Sequence, residues 1–283
     1  MTERATGDHP GRFFGRRALV TGASRGIGAG IAERLAAEGA DVAIVARTLD
    51  HHDRLAGSLT ETAARLRLHG HRVVTVVADL TDELDRVRVV PEAVEGLGGP
   101  IDILVNNAAA AMYDRLDRFP LRRRRVLFEA NVHGPLDLAQ AVLPAMVDAG
   151  RGWIVNVSSG AARPWPGPPF ALGATGTTIA VYGASKAALN RITNGLGAEL
   201  HGTGVRVNGI EPRAAVRSEG AEQLVGDALD PDKYESLEQM VEAVVALCDC
   251  PPEVTGRNAV SLDLLADWVL PVHDLDGSAP GPS

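Results

Sequence analysis

A tyrosine and a lysine four residues apart are the strongest chemical signal in the sequence. Tyr182 and Lys186 enclose the segment YGASK, whose surroundings predict a helix, so both side chains project from one helix face. A tyrosine that works as an acid or base near neutral pH must lose roughly three pKa units, and an ammonium group at about 4 Å supplies roughly that. The spacing predicts an acid–base pair in which Lys186 lowers the pKa of Tyr182. The alternative is a purely structural pair of helix neighbours.

A glycine-rich segment, ALVTGASRGIG at residues 18–28, is the second signal. Its apolar start is typical of a buried strand, and apolar residues recur at helical spacing after the turn. Gly22, Gly26 and Gly28 lie at the joint, where a tight turn, close backbone approach and free N–H groups at a helix N-terminus suit a pyrophosphate. The segment indicates a dinucleotide site, although glycines also mark ordinary strand–helix turns.

These groups need elements to hold them, and the sequence predicts alternating strands and helices. Apolar runs predict strands at residues 18–20, 41–46, 73–78, 101–105, 153–157 and 205–210, and helical periodicity predicts helices at 58–69, about 81–95, about 121–149 and 181–201. This alternation is typical of a doubly wound, mostly parallel sheet with helices on both faces and ligands at the carboxyl ends of its strands. We expect an α/β fold in a single domain, residues 13–271, between flexible tails at 1–12 and 272–283.

Composition narrows the class of protein. The net charge of -8 argues against nucleic acid or an anionic membrane surface as the main partner, and no apolar run is long enough to span a membrane. Residues 1–12 lack the apolar core of a signal peptide. Cys248 and Cys250 lie too close together for a disulfide framework and have no partners at zinc-site spacing. We expect a cytoplasmic protein that binds no metal.

Three motifs together resemble those of the short-chain dehydrogenase/reductase family. They are TGxxxGxG from Thr21, NNAA from Asn106 and YxxxK from Tyr182, and the resemblance runs from about Arg16 to Ile210. It implies a Rossmann-type sheet and hydride transfer between a nicotinamide cofactor and the carbonyl or secondary alcohol of a small molecule. By the same analogy we expect a homodimer or homotetramer.

The resemblance implies a catalytic tetrad of Asn131, Ser159, Tyr182 and Lys186. In this assignment Tyr182 exchanges a proton with the substrate oxygen, and Ser159 hydrogen-bonds the carbonyl. Lys186 lowers the tyrosine pKa and holds the nicotinamide ribose. Ser158 adjoins Ser159 at a strand end, where successive side chains face opposite ways, so only one of the two points into the site. The resemblance favours Ser159.

Cofactor contacts are expected along the glycine segment and after the second, third, fourth and sixth strands. The candidates are Gly22, Ser24, Arg25, Gly26, Ile27, Gly28, Arg47, Asp79, Leu80, Asn106, Ala108, Tyr182, Lys186 and Pro212. Two of them have another interpretation, since Asp79 suits a helix N-cap and Asn106 suits a turn.

The choice of cofactor depends on the end of the second strand. An NAD site places a carboxylate about 20 residues past the glycine loop, to accept the ribose hydroxyls. That position is Ala46 here, with Arg47 directly after it and Arg25 inside the glycine loop. Two guanidinium groups that converge on a 2′-phosphate favour NADP(H) over NAD(H). The alternative is that both arginines are solvated and that Asp50 supports NAD.

Two segments depart from the family pattern. An insertion at about 160–180 lies beside the site, and its Trp165 and Phe170 fit either an apolar substrate wall or a surface-loop anchor. A variable segment at about 212–235 follows the sixth strand, and its Arg213 fits an anionic substrate or an outward-facing side chain.

Pro135 predicts a break in the long helix. A proline has no N–H for the carbonyl of Asn131, four residues earlier, and its ring clashes with that carbonyl. We expect a kink, with a water on the freed carbonyl linked toward Lys186 as part of a proton path. The alternative is a bend that serves packing, with the Asn131 side chain capping a neighbouring group.

The sequence thus predicts an NADP(H)-dependent oxidoreductase, most simply a ketone reductase. The alternatives are a non-catalytic NADP(H)-binding sensor or scaffold, and a reductase of C=N or C=C bonds.

Overall fold

The computed structural model describes residues 11–50, 56–170, 176–213, 215–216 and 234–279, and a parallel sheet forms its centre. The strands of this sheet are β1 (Arg17–Thr21), β2 (Asp41–Ala46), β3 (Val73–Val77), β4 (Ile103–Asn106), β5 (Gly152–Val157), β6 (Val205–Glu211) and β9 (Asn258–Val260). A separate two-stranded sheet pairs β7 (Ala215–Val216) with β8 (Tyr234–Glu235). The predicted α/β fold is confirmed.

Helices follow most strands and cover both faces of the sheet. They are α1 (Gly26–Ala37), α2 (Leu59–Arg67), α3 (Glu83–Leu97), α4 (Leu121–Phe128), α5 (Gly134–Asp148), α6 (Ala180–Glu199), α7 (Leu237–Leu247) and α8 (Ser261–Asp267). Side-chain N-caps start several of these helices. Ser58 caps α2 by accepting a hydrogen bond from the N–H of Glu61, and Asp82 caps α3 by accepting one from the N–H of Leu84. Because Asp82 caps α3, Asp79 is not the cap of that helix.

The sheet separates two apolar cores. Strand side chains alternate, so Val20 of β1 packs with Leu35 of α1 and Val241 of α7, whereas Leu19 packs with Leu138 of α5 on the other face. The strand order is β3-β2-β1-β4-β5-β6-β9, with all neighbours parallel. The chain therefore winds outward in both directions from β1 and β4, and a ligand cleft is expected at their carboxyl ends.

The long predicted helix is interrupted where the proline requires it. A π-helical turn at Glu129–His133 separates α4 from α5, and the N–H of Gly134 bonds the Glu129 carbonyl. Pro135 is at the start of α5, where its missing N–H costs least. The π turn carries Asn131 into the interior of the protein, where it has no exposed surface.

Parts of the two segments expected as flexible tails are described by the structure, and these parts contact the rest of the domain. Residues 1–10 and 280–283 lie outside the described residues, but Arg12 pairs with Glu38 at 2.6 Å. At the other end, Leu275 packs against the first apolar core, and Arg34 of α1 donates to the Asp274 carbonyl at 3.1 Å. The segment from 272 to 279 is therefore part of the packed domain, because α1 offers it both an apolar surface and a buried donor. Among the described helices, none is both long and apolar enough to cross a membrane.

Candidate active site

A cavity of about 1150 Å³ opens at the carboxyl ends of the central strands. Its walls come from the glycine loop, the ends of β2 and β3, the segment after β4, and one face of α4 and the π turn. They are lined by Gly22, Ser24, Arg25, Gly26, Ile27, Gly28, Val45, Ala46, Arg47, Thr48, Leu49, Asp50, Ala78, Asp79, Leu80, Thr81, Asn107, Ala108, Ala109, Ala110, Ala111, Met112, Val126 and Ala130. Ten of the fourteen predicted cofactor residues lie in this lining; Asn106, Tyr182, Lys186 and Pro212 do not.

The glycines are required by close backbone approach. Gly22 has a φ of +67°, and a Cβ there would lie 2.8 Å from the Ala108 Cα. A Cβ on Gly28 would lie 2.4 Å from the Gly22 carbonyl oxygen. The side chain of the N-cap residue Arg25 makes no capping hydrogen bond, and residues 26–28 line the cavity at the positive end of the α1 helix dipole. This cradle fits the pyrophosphate of a dinucleotide.

The two candidate arginines are placed differently. Arg25 donates to the carbonyls of Ala56 and Gly57, each at 2.7 Å, and so fastens the glycine loop to the segment before α2. The Arg47 side chain is 72% exposed, and the nearest carboxylate oxygen among the described residues, on Asp79, is 3.8 Å away. Asp50 lines the same wall and accepts a hydrogen bond from the Thr60 hydroxyl at 2.6 Å. Arg47 is thus the guanidinium with the looser attachment.

Of the two polar residues expected at the ends of β3 and β4, Asp79 lies in the cavity wall and Asn106 does not. Asp79 lines the cavity, and its side chain accepts from the backbone and hydroxyl of Thr81. Asn106 ends β4 but points away from the cavity, and its amide donates to Asn156 at 2.9 Å inside the sheet. Since side chains alternate along a strand, the next residue faces the other way: the Asn107 amide donates to the Thr21 carbonyl beneath the glycine loop.

Tyr182 and Ser159 meet at the carboxyl edge of β5. Tyr182 lies in the first turn of α6 with 8% of its surface exposed, and the Ser159 side chain lies near enough to its hydroxyl to lower the pKa of the tyrosine. The Ser159 hydroxyl also accepts from the N–H of Ala161 at 3.2 Å. The neighbouring Ser158 is buried, and its hydroxyl has no hydrogen-bond partner within the described chain. The structure therefore brings Ser159, and not Ser158, to the tyrosine.

Lys186 does not act on Tyr182 as the sequence predicts. Its ammonium group, 2% exposed, donates to the Val157 carbonyl at 2.8 Å, and burial lowers its pKa to about 8. Burial also raises the pKa of Tyr182 to about 12, against a smaller lowering by the Ser159 hydroxyl. The expectation of a lowered tyrosine pKa is wrong here, because desolvation of the phenolate outweighs every favourable contact.

Asn131 is held by its side chain. Its carbonyl oxygen accepts from the N–H of Ala110 at 2.8 Å, while its amide donates to the Ala110 carbonyl and to the Ser185 hydroxyl. This matches the alternative interpretation, in which the side chain caps a neighbouring segment. Asn131 thereby joins the segment after β4 to α6, one residue before Lys186.

The departing segments lie at the same edge. Trp165 and Phe170 are 38% and 56% exposed. Arg163, in the insertion, pairs with the buried Glu211 at the end of β6, and Arg213 pairs with Asp263. Residues 171–175, and most of 214–233, are outside the described part of the chain.

The sequence does not predict one aromatic contact at the site. The ring of Tyr113 packs edge-on against that of Tyr182, with centroids 5.5 Å apart and planes at 83°. Nothing in the spacing of residues 113 and 182 signals this contact. The only local hint is an aromatic side chain two residues after the run of alanines at 108–111.

A doubly wound sheet with a glycine-cradled cleft and a serine–tyrosine–lysine group at its carboxyl edge defines a class of nucleotide-dependent oxidoreductases. The family model for short chain dehydrogenase matches residues 16–228. The chain therefore belongs to the short-chain dehydrogenase/reductase family and is an oxidoreductase of that family.

Individual relatives agree with this assignment. A gluconate 5-dehydrogenase of Gluconobacter oxydans is 35% identical over 90% of this chain and 96% of its own. Hydroxysteroid dehydrogenase-like protein 2 of Danio rerio is 30% identical over 96% of this chain, which spans 63% of that relative and 53% of its Mus musculus counterpart.

Solved structures share the fold. A short chain dehydrogenase from Mycobacterium thermoresistibile superposes with a TM-score of 0.78 at 27% identity, covering 96% of this chain and 95% of its own. A protein from Beutenbergia cavernae, described as an NAD(P) dependent gluconate 5-dehydrogenase and holding NADP at low occupancy, superposes with a TM-score of 0.75 at 28% identity, covering 89% of this chain and 97% of its own.

Proposed function

We propose that this protein is an NADP(H)-dependent oxidoreductase that interconverts a ketone and a secondary alcohol of a small molecule, with ketone reduction favoured. The observation that carries the proposal is the buried Tyr182 hydroxyl. It lies beside the Ser159 hydroxyl, and burial raises its pKa to about 12. A hydroxyl of this kind keeps its proton at neutral pH and can give it to an oxygen that develops negative charge.

The cleft fits the cofactor that this chemistry needs. The glycine cradle and the N-terminus of α1 would hold the pyrophosphate, and Asp79 and Leu80 would lie against the adenosine half. A bound nicotinamide dinucleotide supplies or accepts the hydride.

The protein groups do the remaining work at the substrate oxygen. In the reduction, the Tyr182 O–H donates its proton to the carbonyl oxygen, and the Ser159 hydroxyl donates a hydrogen bond to the same oxygen. The Lys186 ammonium group, one helical turn beyond Tyr182, gives this buried edge a positive charge below its pKa of about 8. In the oxidation the steps are reversed, and the Tyr182 oxygen takes a proton from the alcohol hydroxyl.

NADP(H) is the preferred cofactor in this proposal because of Arg47. It lines the cleft directly after β2, is largely exposed, and forms with Asp79 an ion pair as long as 3.8 Å. A guanidinium so placed can turn to a 2′-phosphate. The Beutenbergia cavernae structure, which holds NADP in the same fold, supports this choice.

Tyr182→Phe tests the function. We expect it to lower ketone reduction, followed as NADPH consumption, at least about a hundredfold, while NADPH binding persists. Tyr234→Phe is the matched control and should leave turnover unchanged. A broad ketone and alcohol panel that gives no turnover, with NADPH still bound, would favour a non-catalytic sensor. Product analysis separates ketone reduction from reduction of C=N or C=C bonds.

We also propose a homodimer or homotetramer. Exposed apolar side chains on the interrupted helix support it, since Leu121 of α4 and Val147 of α5 are 52% and 39% exposed. Light scattering coupled to size-exclusion chromatography measures the mass directly, and a monomer would refute the proposal.

A further inference from the structure

Tyr113 covers the residue on which the proposed chemistry depends. Its ring meets that of Tyr182 edge-on at 5.5 Å, an arrangement that aromatic pairs prefer. Tyr182 retains 8% exposure, whereas Tyr113 is 39% exposed. Tyr113 therefore shields the Tyr182 ring on one side and keeps part of its own ring exposed beside it.

The segment that carries Tyr113 is fixed on both sides. Before it, the Asn131 side chain bonds both the N–H and the carbonyl of Ala110. After it, the N–H of Asp114 donates to the Thr178 carbonyl at 3.0 Å, just before α6 begins. The π turn and the start of α6 thus hold Tyr113 and Tyr182 in one rigid frame, so the ring contact is built into the fold.

The surroundings of this pair are apolar. Tyr182 shares a small buried cluster with Phe119, Leu127 and Val181, against which Ala110, Ala111, Met112, Phe128 and Ala161 pack. The groups that shift the pKa of Tyr182, besides burial, are the hydroxyls of Ser159 and Tyr113. A charged or polyhydroxylated substituent packed against this cluster and the Tyr113 ring would lose hydrating water, which costs free energy.

We propose that Tyr113 is a specificity-determining and positioning residue, whose ring fixes Tyr182 and forms the wall against which an aromatic or apolar substituent of the ketone packs. This inference rests on the proposed function and names its substrate class: ketones that carry an aryl or bulky apolar group on the side of Tyr113.

The substrate arm compares acetophenone with 2-butanone in Tyr113→Ala and Tyr113→Phe. Tyr113→Ala should raise the KM for acetophenone about 3- to 10-fold more than that for 2-butanone, and Tyr113→Phe, which keeps the ring, should restore the wild-type ratio. Phe14→Ala removes an exposed aromatic ring before β1 and should change neither KM. Equal changes for the two ketones, or a Phe variant as impaired as the Ala variant, would overturn the proposal.

The positioning arm needs no turnover. Titration of phenolate absorbance follows Tyr182, assigned by its loss in Tyr182→Phe. Because burial is what raises the Tyr182 pKa, Tyr113→Ala should lower that pKa markedly and Tyr113→Phe much less. An unchanged Tyr182 titration in a folded Tyr113→Ala protein would refute the shielding role.

The two proposals can fail separately. If the wild-type protein reduces no ketone, the proposed function fails. Ligand-observed NMR on the NADPH-loaded protein then compares the affinities for acetophenone and 2-butanone, with and without the Tyr113 ring. A preference for acetophenone that disappears in Tyr113→Ala still supports the apolar wall, and the absence of any preference refutes it.

Discussion

The amide of Asn131 donates to the hydroxyl of Ser185 at 3.0 Å, and neither residue has any exposed surface. The Ser185 hydroxyl in turn donates to the backbone carbonyl of Tyr182 at 2.7 Å. The π turn is therefore bonded to the first turn of α6, between the tyrosine and Lys186. A change in one of these elements moves the other.

Asn131→Ala removes three hydrogen bonds and leaves the backbone of Ala110 without its buried partners. We expect the free energy of unfolding, measured with urea, to fall by about 2 to 4 kcal/mol. The kcat should fall as Tyr182 loses its alignment, while NADP(H) affinity stays near the wild-type value. Ser185→Ala keeps both bonds to Ala110 and should cost only about 1 kcal/mol. If Asn131→Ala is destabilised but keeps the wild-type kcat, Asn131 contributes to packing only and does not align Tyr182.

Gly28→Ala should damage the cofactor cradle. The new Cβ would lie 2.4 Å from the Gly22 carbonyl oxygen and 2.3 Å from the Asn107 amide nitrogen, so backbone has to move. We expect a loss of about 1 to 3 kcal/mol in unfolding free energy and weaker NADPH binding, read by fluorescence titration. Gly195→Ala is the matched control: its Cβ meets only the end of the Arg191 side chain, and α6 should gain stability. Undiminished NADPH affinity in Gly28→Ala would contradict the cradle.

Arg47→Ala should reduce the preference for NADP over NAD. A charge-assisted contact to the extra phosphate contributes roughly 1.5 to 3 kcal/mol, which corresponds to at least about tenfold in relative affinity. Isothermal titration with both cofactors measures the ratio. NAD affinity should hardly change, and Arg122→Ala, on the exposed start of α4, should leave the ratio intact. Equal affinities for the two cofactors in the unmutated protein would refute the preference.

Lys186 should make stability depend on pH. Burial lowers its pKa from 10.5 to about 8 in the folded protein. Between these values the unfolded chain holds a proton that the folded chain has released, so unfolding free energy rises with pH. Lys186 should add about 3 kcal/mol to the free energy of unfolding between pH 8 and pH 10.5. This contribution is complete above pH 10.5 and is lost as the pH falls through 8.

Lys186→Met isolates this contribution. Subtracting its urea unfolding free energies from those of the wild type across the same pH window cancels the other titrating groups. Parallel curves for the two proteins would show that the lysine is not desolvated as the structure has it.

The sequence predicts six strands of the sheet well because most of them are short apolar runs with nearly every side chain buried, and each such run can be recognised by itself. The break at Pro135 was equally local, since it depends only on a missing N–H four residues from Asn131. Features that depend on distant neighbours were harder. Successive side chains of a strand face opposite ways, so the direction of Asn106 depends on whether it still belongs to β4. The sequence does not show where β4 ends.

The electrostatics of the site show the same limit. Spacing places Tyr182 and Lys186 on one helix face, but the pKa of each depends on how much protein covers it. One of the side chains that cover Tyr182 is Tyr113, which is remote in the chain and belongs to no periodic pattern. Likewise, Leu275 looks like part of a polar tail until α1 is seen beside it.

The docking of residues 272–275 has a consequence for how the protein is made. Arg34 of α1 is buried by Glu242 of α7, and His273 bonds the same carboxylate at 3.0 Å. During translation, α1 and the glycine loop at its start emerge early, yet this face stays uncovered until the ribosome has released the chain through Leu275. The packing around α1 is therefore completed late in synthesis, and a nascent chain stalled before α7 should gain little protection from NADPH against proteolysis.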